Sequence, residues 1–196
     1  MTSKSIKGTR TEKNLAIAYV AESTAYSRYT FYAAQAQKES YFPIQRVFEE
    51  TAANELRHAK IYFKFMQGGS MPVTVDLDNG PIGTTEENLA IAAEEELIEG
   101  SEMYLKAAKV AEEEGFDDIA SHFRAIAAIE EKHRQRFLYY LEQVKDGTVW
   151  KRDKPIVWKC LVCGYEYTGT EPPATCPACD HPREHYMAMD YPDTLV

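Results

Sequence analysis

No run of eighteen apolar residues occurs anywhere in this 196-residue sequence, which argues against a membrane-spanning helix. The first eight residues, Met1-Thr2-Ser3-Lys4-Ser5-Ile6-Lys7-Gly8, lack the apolar segment of a secretion signal. Cations are scarce: 22 Lys and Arg stand against 31 Asp and Glu, for a formal net charge of −9. A nucleic acid or an anionic membrane surface would call for the basic patch that this balance lacks. Cysteine is limited to four residues, all spent in two Cys-x-x-Cys pairs. Without a secretion signal such pairs bind metal more often than they form disulfides, and a reducing cytoplasm is the expected location. Also missing is a Gly-x-Gly-x-x-Gly after a strand, so the primary reductant is expected to reside on another protein.

What is present is a pair of short runs, Glu55-Leu56-Arg57-His58 and Glu130-Glu131-Lys132-His133. Each is Glu-x-x-His in a stretch that reads as helix, where residues three apart share a face and can converge on one metal ion. The runs belong to an internal repeat. An offset of 74 pairs Glu22 with Glu96, Ala33 with Ala107 and Phe42 with Phe116; an offset of 75 pairs Phe48 with Phe123, Glu55 with Glu130 and His58 with His133. Two copies of a helix pair are implied, with one residue inserted near position 44. Each copy supplies a lone inward glutamate and a Glu-x-x-His, and stacking the copies yields a ferritin-like bundle with ligands for two irons. The symmetry breaks where Ala25 faces Glu99 in the offset, so one side gains a carboxylate. The expected ligands are Glu22, Glu55, His58, Glu96, Glu99, Glu130 and His133.

The remaining chain fits four helices and a tail. Helix one is expected from an N-cap at Thr11 to about Ser40, with Glu22 and Tyr29 on its inner face; helix two follows Pro43 and runs to Gln67. Residues 68–84 hold four glycines and two prolines, and seventeen extended residues span up to about 55 Å, enough to cross a bundle about 40 Å long. Thr84-x-x-Glu87 reads as a capping box opening helix three, which carries Glu96, Glu99 and Tyr104. Asp117 is expected to cap helix four, which ends at Asp146-Gly147. The expected architecture is therefore mainly α, a bundle with one long crossover over residues 1–148, then a small β-rich metal domain over 149–196 after a linker at about 147–156.

In the tail, Cys160, Cys163, Cys176 and Cys179 form two chelating turns. Four thiolates make a tetrahedral site that suits zinc or iron. A tail this short and poor in apolar residues needs the metal to fold. A di-iron centre that turns over needs electrons, which an iron bound by four thiolates can deliver and zinc cannot.

Taken together, the Glu22 context, Glu55-x-x-His58, Glu96-x-x-Glu99 with Glu102-Met103-Tyr104, Glu130-x-x-His133 and the closing Cys-x-x-Cys pairs resemble the rubrerythrin family in order and over nearly the whole chain. The resemblance implies a ferritin-like domain with a non-haem di-iron site and a C-terminal rubredoxin-like domain with one Fe(Cys)4 centre. It further implies a homodimer that reduces hydrogen peroxide, with Glu55 and Glu130 bridging the irons, Glu99 and His58 exchanging at one of them, and Tyr29 and Tyr104 bonded to ligand carboxylates. The expected function is peroxide reduction in oxidative-stress defence, with Glu55, Glu130, Tyr29 and Tyr104 as catalytic residues. Electrons would come from an external donor, a rubredoxin or an NAD(P)H-dependent reductase. The alternatives are an iron-storage or ferroxidase protein and a binding module with structural zinc in its tail.

Overall fold

The computed structural model describes residues 5–75 and 80–191. Residues 1–4, at the start of the Met1–Gly8 segment, residues 76–79 between the second and third expected helices, and residues 192–196 lie outside them. The bundle comprises α1 (Arg10–Lys38), α2 (Phe42–Phe65), α3 (Thr85–Ile98), α4 (Tyr104–Glu113) and α5 (Asp117–Asp146). A π-helical turn at Glu99–Met103 joins α3 to α4, so the two act as one continuous rod and the bundle has four. Among the described residues, no helix is long and apolar enough to cross a membrane.

Side-chain contacts at the two ends give the direction of each rod. The end of α2 meets the start of the chain, where Gln67 Oε1 accepts from Ser5 Oγ and the Ile6 N–H. The start of α3 meets the end of α1, where the Thr85 N–H donates to Glu39 Oε2 at 2.9 Å. The segment between α2 and α3 therefore runs the length of the bundle, as the one-crossover topology requires. α4 returns to the start of α1, with Glu114 Oε2 accepting from the Thr11 N–H and hydroxyl.

The capping box at Thr84 and Glu87 forms as its spacing predicts. Two caps differ from expectation. Thr9, not Thr11, caps α1, because Thr9 accepts from the Glu12 N–H while the Thr11 hydroxyl is taken by Glu114. At α5 the N-cap is Phe116, whose backbone turns the chain without a side-chain bond; Asp117 stands in the first turn, where its charge favours the helix dipole.

The core is split into two apolar clusters. One holds Tyr29, Tyr32, Phe48, Leu89, Phe137 and Tyr140; the other holds Leu15, Tyr62, Tyr104, Phe116, Ile119 and Phe123. On every rod the predicted ligands fall between residues of the two clusters: Glu22 between Ala18 and Ala25, Glu55 and His58 between Ala52 and Tyr62, Glu96 and Glu99 between Ala93 and Tyr104, Glu130 and His133 between Ala127 and Phe137. A layer of carboxylates and imidazoles is thus sealed by apolar packing above and below.

The tail forms a three-stranded antiparallel sheet of β1 (Ile156–Cys160), β2 (Glu166–Gly169) and β3 (Tyr186–Ala188), in the order β2-β1-β3. Trp158 and Tyr186 fill its small core beside Cys160 and Cys176. It docks on the bundle end where α2 begins. The rings of Phe42 and His185 stack at 3.7 Å, and those of Tyr41 and Trp150 at 5.6 Å. Arg152 ties the two parts, bonding Tyr139 Oη and Gln143 of α5 and Asp190 of the tail.

Candidate metal centres

Two quartets of potential ligands share the sealed layer. Glu22, Glu55, His58 and Glu130 form one, Glu55, Glu96, Glu130 and His133 the other, and within each the donor atoms lie within 4.8 Å of one another. Glu55 and Glu130 belong to both. His58 Nδ1 lies 3.0 Å from Glu55 Oε2, 3.0 Å from Glu130 Oε1 and 3.4 Å from Glu22 Oε2. His133 Nδ1 lies 2.8 Å from Glu130 Oε2, 3.1 Å from Glu55 Oε1 and 3.7 Å from Glu96 Oε1.

The residues fit metal ions. Glu22 Oε2, Glu55 Oε1, both Glu130 oxygens and His133 Nδ1 are buried without a hydrogen-bond partner, although oxygen and nitrogen stand close. Each such orphan costs about 1–3 kcal/mol, more when charged, so bound cations would stabilise the layer. In the metal-free layer burial, then the charges of Glu55 and Glu130, raise Glu96 to about 8. Burial likewise raises Glu22 and Glu99 well above the carboxylate range. Glu55 runs the other way, because His133 and His58 outweigh its burial and lower its pKa.

The phenols flank this layer from the two apolar clusters. Tyr29 Oη donates to Glu96 Oε1 at 2.7 Å, and Tyr104 Oη to Glu22 Oε1 at 2.7 Å and Glu99 Oε2 at 3.0 Å. Glu99 lies outside both quartets and joins the first through Tyr104. Asn54 was not foreseen: its side-chain amide nitrogen lies 3.3 Å from His133 Nε2. A metal on Nδ1 leaves Nε2–H as donor, which the oxygen of the same amide, turned half a revolution, accepts.

The π turn corrects the register of the repeat. Thr11, Leu15, Ala18 and Glu22 match Thr85, Leu89, Ala92 and Glu96 at an offset of 74, all eight buried. Ala25, Tyr29, Ala33 and Ala36 match Gly100, Tyr104, Ala108 and Ala111 at 75, again all buried. The extra residue therefore enters between Glu96 and Gly100, not near position 44, and the residue it adds is Glu99. The Tyr104 N–H reaches back five residues to the Glu99 carbonyl, which is how a helix absorbs one residue without losing its course. Gly100 makes room, since a Cβ there would stand 3.0 Å from the Ala127 carbonyl oxygen and 3.1 Å from Glu130 Cβ. The only sequence signal was the Ala25/Glu99 mismatch beside a mid-helix glycine.

In the tail, Cys160 and Cys179 sulfurs are 3.7 Å apart, as are those of Cys163 and Cys176. Metal–sulfur bonds of about 2.3 Å in a tetrahedron give edges of about 3.8 Å, and a disulfide would need about 2.05 Å. The two turns are copies: Gly164 N–H bonds the Cys160 carbonyl and Asp180 N–H the Cys176 carbonyl, both at 2.9 Å, with both residues in the left-handed region.

A carboxylate-rich layer with two ligand quartets in a four-helix bundle, joined to a four-thiolate tail, defines a ferritin-like metalloprotein with a second metal site of its own. The rubrerythrin family model matches residues 13–141 and 87–161, and that of the rubrerythrin rubredoxin-like domain matches residues 158–187. The chain is 47% identical to rubrerythrin of Porphyromonas gingivalis over 95% of its own length and 93% of the relative's. It is 43% identical to rubrerythrin of Nitratidesulfovibrio vulgaris over 95% and 97%. Among solved structures, fully reduced, all-ferrous nigerythrin aligns with a TM-score of 0.63 at 29% identity, over 95% of this chain and 90% of that one. The chain belongs to the rubrerythrin family. With that membership go a di-iron carboxylate site in the bundle and a rubredoxin-like iron site of four cysteines in the tail.

Proposed function

We propose that this protein is a non-haem di-iron peroxidase that reduces hydrogen peroxide to water, with electrons arriving through Cys160, Cys163, Cys176 and Cys179. The observation that carries this is the pairing of a di-iron layer with a one-electron centre in the same chain. A storage protein would have no need of a built-in electron carrier. Nigerythrin, described in mixed-valence and all-ferrous states, supports a centre that changes oxidation state.

Reduction of peroxide to two waters consumes two electrons and two protons. When bound, the two ferrous ions supply both electrons and polarise the O–O bond as Lewis acids. Glu55 and Glu130, members of both quartets, would be shared by the two ions; Glu22 and His58 would complete one side, Glu96 and His133 the other. Glu99, bonded to Tyr104, is the additional acid on the His58 side. Burial and neighbouring carboxylates raise the Tyr29 and Tyr104 phenols well above their usual range, so both hold their protons and act as donors that orient Glu96, Glu22 and Glu99. Their place beside the metal layer suits the relay of protons to the departing oxygens.

The bundle spans residues 1–148 and the electron-transfer domain 149–196 in this proposal. The donor is an external rubredoxin or NAD(P)H-dependent reductase, and the protein acts as a cytoplasmic homodimer. Exposed Tyr19, Phe31, Leu56 and Phe63 on the outer faces of α1 and α2 supply apolar area for a second copy.

Anaerobic mixing of the reduced protein with peroxide, followed at both iron chromophores, tests the proposal. Oxidation of the bundle irons and then of the red four-cysteine centre, with peroxide consumed, is expected. Unchanged spectra overturn it. Iron accumulation under dioxygen without peroxide consumption points to storage, and a colourless tail points to zinc.

A further inference from the structure

Tyr62 carries a hydroxyl that bonds to nothing among the described residues. The residue is fully enclosed, and its Oη has no hydrogen-bond partner. Burying a hydroxyl in that way is costly, because its bond to water is lost and not replaced. The internal repeat shows that the cost is avoidable, because an offset of 75 sends Tyr62 to Phe137 and Phe123 back to Phe48. Phe48 and Phe137 pack on Tyr29 with ring centroids 6.1 and 5.3 Å away; Phe123 and Tyr62 pack on Tyr104 at 6.0 and 5.6 Å. The three rings of each trio occupy matching places, with Tyr62 standing where the first trio has Phe137; the first trio also packs on Tyr32, whose counterpart is Ala107.

The Tyr62 ring packs on Tyr104, the phenol that bonds Glu99, where the symmetry breaks as well. Tyr62 follows His58 by four residues and Glu55 by seven, so it shares their face of α2. Burial, then the charges of Glu22, Glu130, Glu99 and Glu55, push its pKa far up, and the hydroxyl keeps its proton. From outside, a cleft of about 270 Å³ between α1 and α4 is lined by Asn14, Ala18, Met103, Tyr104 and Phe123. It ends on the two rings that Tyr62 packs against.

We propose that Tyr62 Oη is the hydrogen-bond donor for a small exogenous ligand on the His58 side of the centre, an oxygen or nitrogen species of peroxide size that arrives through the α1/α4 cleft. This rests on the peroxidase proposal and deepens it, since Tyr62 would touch the substrate.

Azide binding to the oxidised, iron-loaded protein, read from visible absorption, tests it in the natural chain and in Tyr62→Phe. The variant should keep its iron and melt no lower than the parent, because it removes only an oxygen that has no hydrogen-bond partner. Its azide dissociation constant should rise about tenfold, the loss of one hydrogen bond to a charged group. Unchanged azide affinity overturns the proposal. Loss of iron overturns it too, by making Tyr62 a support of the ligand set. Recovery of affinity on adding Phe137→Tyr to Tyr62→Phe would overturn the assignment to the His58 side. Peroxide turnover separates this from the broader reading: a parent inert to peroxide whose azide affinity still depends on Tyr62 removes the peroxidase and leaves the donor, whereas active enzyme indifferent to Tyr62→Phe does the reverse.

Discussion

Tyr104 Oη lies 2.7 Å from Glu22 Oε1, joining α4 to α1 through the middle of the bundle. The same hydroxyl also bonds Glu99 at 3.0 Å, so one phenol orients two carboxylates, whereas Tyr29 bonds Glu96 alone. Removing the oxygen leaves both carboxylates unheld. Tyr104→Phe should lower peroxide turnover by about 10–100-fold, the usual effect of losing a group that orients metal ligands, and Tyr29→Phe by less. Steady-state kinetics with iron content measured alongside checks the order of the two.

Glu55 and Glu130 sit in both quartets, so no other ligand loss should do as much damage. Glu55→Ala or Glu130→Ala is expected to abolish peroxide turnover while the tail keeps its red four-cysteine iron. Full activity in either variant would take the bundle irons out of the mechanism.

Deleting Glu99 should convert the π turn into plain α-helix, with Gly100 taking the place that Ala25 holds in α1. The protein should fold and keep Tyr104 in register, since every later residue already follows the offset of 75. It should lose turnover, having lost the added acid. Gly100→Ala tests the packing instead: the Ala127 carbonyl at 3.0 Å cannot retreat without disturbing α5, and a cost of about 1–3 kcal/mol is expected as a lowered melting temperature.

Iron removal should reverse the pH dependence of stability. In the metal-free layer Glu96 has a folded pKa of about 8, and Glu22 and Glu99 are also raised above the ordinary 4.5. Acids raised in this way stabilise the fold below about pH 4.5 and lose that contribution as pH climbs toward 8. His58 and His133, raised from 6.5, add stability in full below that pH and lose it above, which is the same sign. Glu55, lowered, changes only below 4.5. The metal-free melting temperature should therefore fall from pH 5 to pH 8, whereas the loaded protein should gain over that range because protons no longer compete with metal. Calorimetry on both forms decides it.

Much of this was legible in residue order because the chemistry is local. Glu-x-x-His on a helix fixes two donors on one face whatever the rest of the chain does, and Thr84-x-x-Glu87 closes a cap within one turn. Two Cys-x-x-Cys turns carry their own left-handed hinge at Gly164 and Asp180. The caps at Thr9 and Phe116 were harder, since Thr11 was free to cap α1 until Glu114 of a distant rod claimed its hydroxyl.

The sequence by itself determined the doubled helical pair, the donor types and the two classes of metal site, because periodicity and ligand spacing act within a few residues. Only the tertiary structure decided where the extra residue of the repeat lies, that Tyr62 keeps an unused hydroxyl, that Asn54 meets His133 and that the tail stacks on Phe42. Each of these depends on which surfaces meet across the bundle, and contacts between residues far apart in sequence leave no periodic trace in it.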